Sequence, residues 1–151
     1  MGEAWRILKA QYALTAFTGE GAAKSGGRWN SRGVFLVYAS ATRSLATLEN
    51  LVHLNLPVTF RSVAFRITFE DALVEKFLLR SLPADWRTEP PPPATKAIGD
   101  HWVKAARSAV LALPSVITGE TNYLLNPAHP DFNKINISRP EPFVFEPRLM
   151  A

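Results

Sequence analysis

Three stretches of this 151-residue chain gather residue types that chemistry uses. The first is Gly26-Gly27-Arg28-Trp29-Asn30-Ser31-Arg32-Gly33. Glycines let backbone N–H groups come close to a ligand, Arg28 carries a forked donor set suited to phosphate or ribose oxygens, and Trp29 can stack or pack. The spacing is neither a phosphate loop nor a dinucleotide fingerprint, so on spacing alone a hairpin loop with a structural tryptophan is the better fit. The second is a helical stretch, Thr42 to Leu56, where about 100° per residue puts Leu45, Val52 and Leu56 on one stripe, Leu48 beside it and Glu49 at its edge. A carboxylate at the border of an apolar face needs a partner arginine, a route to water or a chemical task. His53, one turn on, shares that side and reads as a boundary histidine. The third is Leu113-Pro114-Ser115-Val116-Ile117 followed by Asn122-Tyr123-Leu124-Leu125-Asn126-Pro127-Ala128-His129-Pro130. Ser115 follows a buried strand, where small polar groups line clefts; Asn122 and Asn126 orient a ligand or simply make turns.

Other chemistries find little support. Ser115 lacks the glycine elbow of a serine hydrolase. His53, His101 and His129 have no metal-ligand spacing, and the absence of cysteine removes thiolate sites and disulfides, so no metal is expected and a reducing cytosol fits. Seventeen Lys and Arg against thirteen Asp and Glu give +4, a field that favours anionic partners. The basic residues are scattered, which disfavours a polyanion groove and direct nucleic-acid binding. Apolar runs such as Val34–Ala41 and Ala109–Ile117 fall far short of the roughly 20 residues that span a bilayer, and the N-terminus does not read as a signal peptide. A cytoplasmic protein without membrane contact is the expectation.

These residues must be positioned by a fold. The composition suits one domain over 1–151. Trp5–Leu8 reads as a strand, Gly19–Gly33 as a loop too glycine-rich for regular structure, and Val34–Tyr38 as a buried strand. Ser40 or Thr42 caps a helix running to about Asn55, before Pro57. Phe60–Phe69 alternates as a half-buried strand, with Val63, Phe65, Ile67 and Phe69 facing one way. Asp71–Arg80 is helical or irregular, and Pro90–Pro93 is an extended, exposed loop. Lys96–Arg107 is helical, Ala109–Leu113 is a buried strand that Pro114 ends or bends, and short strands lie near Ile135–Ile137 and Phe143–Phe145. This order predicts an α+β fold with a mainly antiparallel sheet and flanking helices.

Taken together, Trp5-Arg6-Ile7, Gly26-Gly27-Arg28-Trp29-Asn30, Val37-Tyr38-Ala39, Leu48-Glu49-Asn50-Leu51-Val52-His53-Leu54, Pro114-Ser115 and the Asn122–Pro130 stretch resemble, in order and spacing, the RES-domain proteins. The family is named for an arginine, a glutamate and a serine, which carry over to Arg28, Glu49 and Ser115. The resemblance implies an ADP-ribosyltransferase-like fold and the toxin of a bacterial toxin–antitoxin pair, partnered by an Xre-type helix-turn-helix antitoxin. It also implies attack on NAD⁺ as substrate, either degrading it as a glycohydrolase or phosphorylase or transferring ADP-ribose to a protein target. Tyr38 matches the aromatic residue such sites place beside nicotinamide. Asn50, directly after Glu49, departs from the small or apolar residue expected there, and Asp71–Thr95 carries no family motif.

On this reading Glu49, Arg28 and Tyr38 form the catalytic set. Breaking the nicotinamide–ribose bond builds oxocarbenium character on the ribose, so a fixed anion and good orientation lower the barrier and no proton donor is needed. Glu49 holds ribose hydroxyls and stabilises the cation, Arg28 pairs with phosphate or ribose oxygens, and Tyr38 stacks on the ring. Ser115 and Asn122 hold ribose or Arg28 in place, and Arg6 is a second phosphate contact. Two competing readings stand beside this one: a basic nucleic-acid-binding or ribonuclease toxin, and a non-catalytic interaction domain in which Arg28 and Glu49 are a structural pair.

Overall fold

The computed structural model describes residues 1–55 and 57–150. Strand β1 (Gly2–Lys9) buries Ala4 on one face and Ile7 on the other, as a central strand must. Helix α1 (Glu20–Ser25) follows, then β2 (Val37–Ser40), α2 (Arg43–Leu51) and β3 (Ser62–Phe69). The remaining elements are β4 (Val74–Lys76), α3 (Pro93–Ala105), β5 (Val110–Pro114), β6 (Thr121–Leu125), β7 (Asn136–Ile137) and β8 (Glu141–Phe143). Among the described residues the strands form one sheet in the order β4-β5-β6-β2-β1-β3-β7, with β8 also on β3. Only β4 and β5 run parallel; the other pairings are antiparallel. The expected α+β class with a mainly antiparallel sheet holds.

Directly paired residues of an antiparallel ladder project to the same side. The registers Trp5↔Ser40, Ser40↔Asn122, Asn122↔Leu113 and Tyr38↔Leu124 therefore define one face. Two apolar clusters sit on it. Trp29, Leu36, Trp102, Leu111, Leu113 and Leu124 pack with α3, while Ile7, Ala46, Ala64 and Phe145 pack with α2. Between them the face is floored by Tyr38, Ser40 and Asn122. The opposite face buries Ala4, Val37, Ala39, Ile67, Phe69, Val110 and Leu125.

Several local expectations need correction. The stretch Gly19–Gly33 does contain regular structure: Gly19 (φ 82°) and Gly26 (φ 71°) bracket α1, the glycines supplying the positive-φ backbone at both its ends. Strand β2 starts at Val37, not Val34, because the Asn30 amide donates to the Val34 carbonyl and holds that residue in the loop. Helix α2 is capped by Thr42, whose hydroxyl accepts from Leu45 N–H at 3.0 Å, but ends at Leu51. Its buried residues are Leu45 and Ala46; Val52, expected on the stripe, is 60% exposed, and Leu56 lies outside the described residues. The stretch 71–80 holds the short strand β4, and Pro93 opens α3, its fixed φ suiting the first helical turn. Strand β6 was not expected from the polar Thr121-Asn122 pair; it forms because β2 and β5 both offer it ladder partners.

Candidate functional site

The glycine-rich loop is locked to the Tyr38 phenol. Tyr38 Oη donates to Asn30 Oδ1 at 2.6 Å and accepts from Trp29 N–H at 3.1 Å. Asn30 is fully buried, its amide donating to the Ala22 and Ser31 carbonyls. A Cβ on Gly27 would stand 2.6 Å from the Tyr38 oxygen, so this position demands glycine. Burial pushes the Tyr38 phenol well above its ordinary range; nearby Asp100 pushes the same way, while the Trp29 N–H and Arg28 oppose it. Tyr38 is therefore neutral at physiological pH.

Arg28, between Gly27 and Trp29, turns to the segment before α3. Its Nη1 donates to the Trp86 and Thr88 carbonyls at 2.9 and 2.8 Å, and Nη2 to Glu89 at 2.7 Å. Trp86 stacks on Trp29 with ring centroids 6.5 Å apart. Three of the five guanidinium N–H groups are thus engaged, leaving Nε–H and one Nη2–H for a ligand. The ion-pair partner is Glu89, not Glu49. Arg28 is 14% exposed and Glu89 74%, so the pair is lopsided, a held cation facing a solvated anion.

Glu49 meets Ser115. Ser115 is fully buried, and its hydroxyl donates to Glu49 Oε1 at 2.8 Å while accepting from Ile117 N–H at 3.0 Å and Thr118 N–H at 3.3 Å. Two residues beyond Leu113 on β5, with its N–H bonded to the Glu120 carbonyl, Ser115 lies on the face of Tyr38, Ser40 and Asn122. Glu49, one turn after buried Leu45, is drawn over that face from α2. Ser40 donates to Asn122 Oδ1 at 2.7 Å, which fixes the amide plane. Glu49, Ser115, Asn122 and Tyr38 thus share one face, and the Arg28 loop is bonded to Tyr38.

Arg6 is set apart. Alternation from Trp5 sends it to the other face, where Nε donates to the Ala16 carbonyl at 2.8 Å and Nη1 reaches the Tyr38 carbonyl at 3.0 Å. The ladder between β1 and β2 is short, and this guanidinium adds a side-chain bond from β1 to the β2 backbone. Burial lowers its pKa to about 10, so it stays charged at neutral pH. His53 is exposed, and Asn50 donates to the Ala46 carbonyl within its own helix. Asn126 is buried, its Oδ1 accepting from Ala128 N–H, and His129 Nδ1 accepts from Asp131 N–H; both make local turns.

Sequence reasoning missed Ser40, the Trp86–Glu89 segment and two residues of α3, Lys96 and Asp100. Lys96 Nζ donates to the Gly27 carbonyl at 2.8 Å, and Asp100 accepts from Ser31. Their signal was Gly99, a helix-interior glycine costing about 1 kcal/mol against alanine, which marks a close approach.

Comparison with known proteins gives a consistent picture. The chain is 39% identical to a protein named Prs ADP-ribosylating toxin from Sphingobium sp. (strain YBL2), over 97% of this chain and 95% of that one. It is 36% identical to a protein named Toxin Res from Yersinia enterocolitica, over 96% of this chain and 97% of the relative. Its fold is similar to a chain in the crystal structure of the M. tuberculosis MbcT–MbcA toxin–antitoxin complex, with a TM-score of 0.78, 15% identity, and coverage of 98% of this chain and 86% of that one. The family model described as RES domain matches residues 3–146, and the chain belongs to that family.

Proposed function

We propose that this protein is the toxin of a toxin–antitoxin pair and consumes NAD⁺ by breaking its nicotinamide–ribose bond. The observation that carries this reading is the Glu49 carboxylate, fixed by buried Ser115 on the sheet face that also bears Tyr38. The name of the 39% identical relative supports an ADP-ribosyl chemistry. As the C1′–N1 bond breaks, the pyridinium nitrogen takes the bonding pair and leaves as neutral nicotinamide, and positive charge develops on the ribose. Glu49 stabilises that charge, with Oε2 available for a ribose hydroxyl. The Tyr38 ring, held by its doubly bonded hydroxyl, stacks on nicotinamide. Arg28 offers its two remaining N–H groups to phosphate or ribose oxygens and Asn122 donates to the ribose, while Arg6, bonded to backbone carbonyls on the other face, is left out of the phosphate contacts.

The acceptor is water, inorganic phosphate or a protein side chain, giving a glycohydrolase, a phosphorylase or a transferase. The partner is an Xre-type antitoxin covering the face of Glu49 and Tyr38, and the pair acts in the cytoplasm; among the described residues no helix is long and apolar enough to cross a membrane. The test follows purified protein with NAD⁺, with and without phosphate, and identifies products by mass. Release of nicotinamide is expected. Intact NAD⁺ together with RNA binding that falls steeply with salt would overturn the reading in favour of a nucleic-acid toxin.

A further inference from the structure

Helix α3 packs through Trp102 on the same sheet face that carries Glu49, and three more of its residues grip the loop carrying Arg28. Lys96 Nζ donates to the Gly27 carbonyl at 2.8 Å. Asp100 takes both donors of Ser31, the backbone N–H at 2.8 Å on Oδ1 and the hydroxyl at 2.5 Å on Oδ2. Between them Gly99 lets the Trp29 carbonyl press against the helix, where a Cβ would come within 1.7 Å of its oxygen. Lys96 and Asp100 are one turn apart, with Gly99 on the same side, so one helix face meets residues 27, 29 and 31 in sequence. The side chains of the intervening Arg28 and Asn30 turn away from the helix, to the Trp86–Glu89 segment and to Tyr38, although the Asn30 carbonyl also lies 3.5 Å from Lys96 Nζ.

We infer that Asp100 is a positioning residue for the nucleotide site: with Lys96, it fixes the loop so that the free N–H groups of Arg28 meet the substrate's phosphate or ribose oxygens. This rests on the NAD⁺ reading for its substrate, while the clamp itself rests on the loop geometry. A residue of this kind sets how well substrate is held and leaves the bond-breaking step to Glu49. Removing the carboxylate releases two donors of Ser31 at once, and the loop keeps only Lys96, bonded to Gly27, as its polar side-chain anchor on that turn of α3. Asparagine in the same place can still accept from Ser31 N–H and donate to the hydroxyl oxygen, so it tests position apart from charge.

The experiment compares wild type with Asp100→Ala, Asp100→Asn and Ser31→Ala, measuring kcat and KM for NAD⁺ and the ¹⁵N–¹H signal of Arg28 Nε. Asp100→Ala is expected to raise KM about tenfold, equivalent to about 1.4 kcal/mol, with kcat within a factor of about three. Asp100→Asn is expected to bring KM back most of the way. A folded Asp100→Ala with wild-type KM, or one that lowers kcat at unchanged KM, overturns the inference. Should Asp100→Ala fail to fold, Ser31→Ala decides: a raised KM supports the clamp and an unchanged one overturns it. Should wild type leave NAD⁺ intact, the functional reading falls and the clamp is judged by the Arg28 signal. A signal that moves in Asp100→Ala and returns in Asp100→Asn supports it; a signal that stays put overturns it.

Discussion

The two halves of the site are held very differently. Arg28 sits in a loop fastened on three sides: to Tyr38 through Trp29 and Asn30, to the Trp86–Glu89 segment through its own guanidinium, and to α3 through Gly27 and Ser31. Among the described residues Glu49 has one side-chain bond, from Ser115, and it stands near the end of a nine-residue helix. The contrast fits a division of labour. A group that binds a flexible dinucleotide gains from being ordered in advance, because orientation entropy is then lost before substrate arrives. A carboxylate that stabilises a developing cation needs an oxygen left free for the ribose, and a single anchor on the other oxygen provides both direction and vacancy.

The sharpest way to break that contrast is to change the carboxylate itself. Glu49→Gln keeps size and can still accept from Ser115, but deletes the negative charge. Turnover of NAD⁺ is expected to fall about a hundredfold or more, about 2.7 kcal/mol of barrier, with KM and the melting curve close to wild type. A variant that melts normally and keeps more than about a tenth of the rate would show that Glu49 is not the catalytic carboxylate.

Arg28→Ala comes next and should fail on the other parameter. Charged hydrogen bonds contribute on the order of 1.5–3 kcal/mol each, so kcat/KM should drop about ten- to a hundredfold, chiefly through KM. The same change frees the Trp86 and Thr88 carbonyls and unpairs Glu89, but these are solvent-accessible enough for water to replace the lost donor. Initial rates across a range of NAD⁺ concentrations check the split. A loss confined to kcat would erase the distinction between the two halves.

Ser115→Ala should lie lower still, at about a tenfold loss of kcat, because Glu49 keeps its charge and loses only its anchor. It also strands the Ile117 and Thr118 N–H groups that the hydroxyl serves, so a stability loss of about 1–2 kcal/mol should accompany it. Rates and urea unfolding measured on the same preparation separate the two effects. Activity falling only in proportion to unfolded protein would reduce Ser115 to a turn residue.

What could be read from sequence follows the range of the interactions. Phe65, Ile67 and Phe69 announce β3 because a half-buried strand needs nothing but alternation. The Gly27 requirement was foreseeable from the loop composition, though its reason, the Tyr38 oxygen, was not. Glu49 and Ser115 were both candidates, yet their meeting across 66 positions of chain is set by the order of β5, β6 and β2. Arg28 shows the limit most clearly. Its anion lies 61 residues on, in a stretch without any motif, and no local pattern distinguishes Glu89 from Glu49 as its partner. Strand β6 likewise takes its character from neighbours on both sides rather than from Thr121 and Asn122.

The smallest expected effect concerns Tyr38, which belongs to both halves: its hydroxyl fastens the Arg28 loop while its ring lies on the face of Glu49. Burial makes the folded protein hold the phenolic proton more tightly than the unfolded chain, where tyrosine titrates near 10. Below that pH both states are protonated and the stabilisation from the phenol is fully present. As pH rises past 10 the unfolded state alone ionises, so stability must fall. Tyr38→Phe removes the titration along with the two hydrogen bonds. Wild type should therefore exceed the variant by about 1–2 kcal/mol from pH 7 to 9, and the gap should narrow above pH 10 by up to about 1.4 kcal/mol per pH unit. Arg6 is common to both proteins and cancels in the difference. Urea unfolding at intervals from pH 7 to 11 measures the gap directly. A gap that stays constant to pH 11 would mean that the phenol ionises as readily in the folded protein as in the unfolded chain, and that the loop is not sealed over Tyr38.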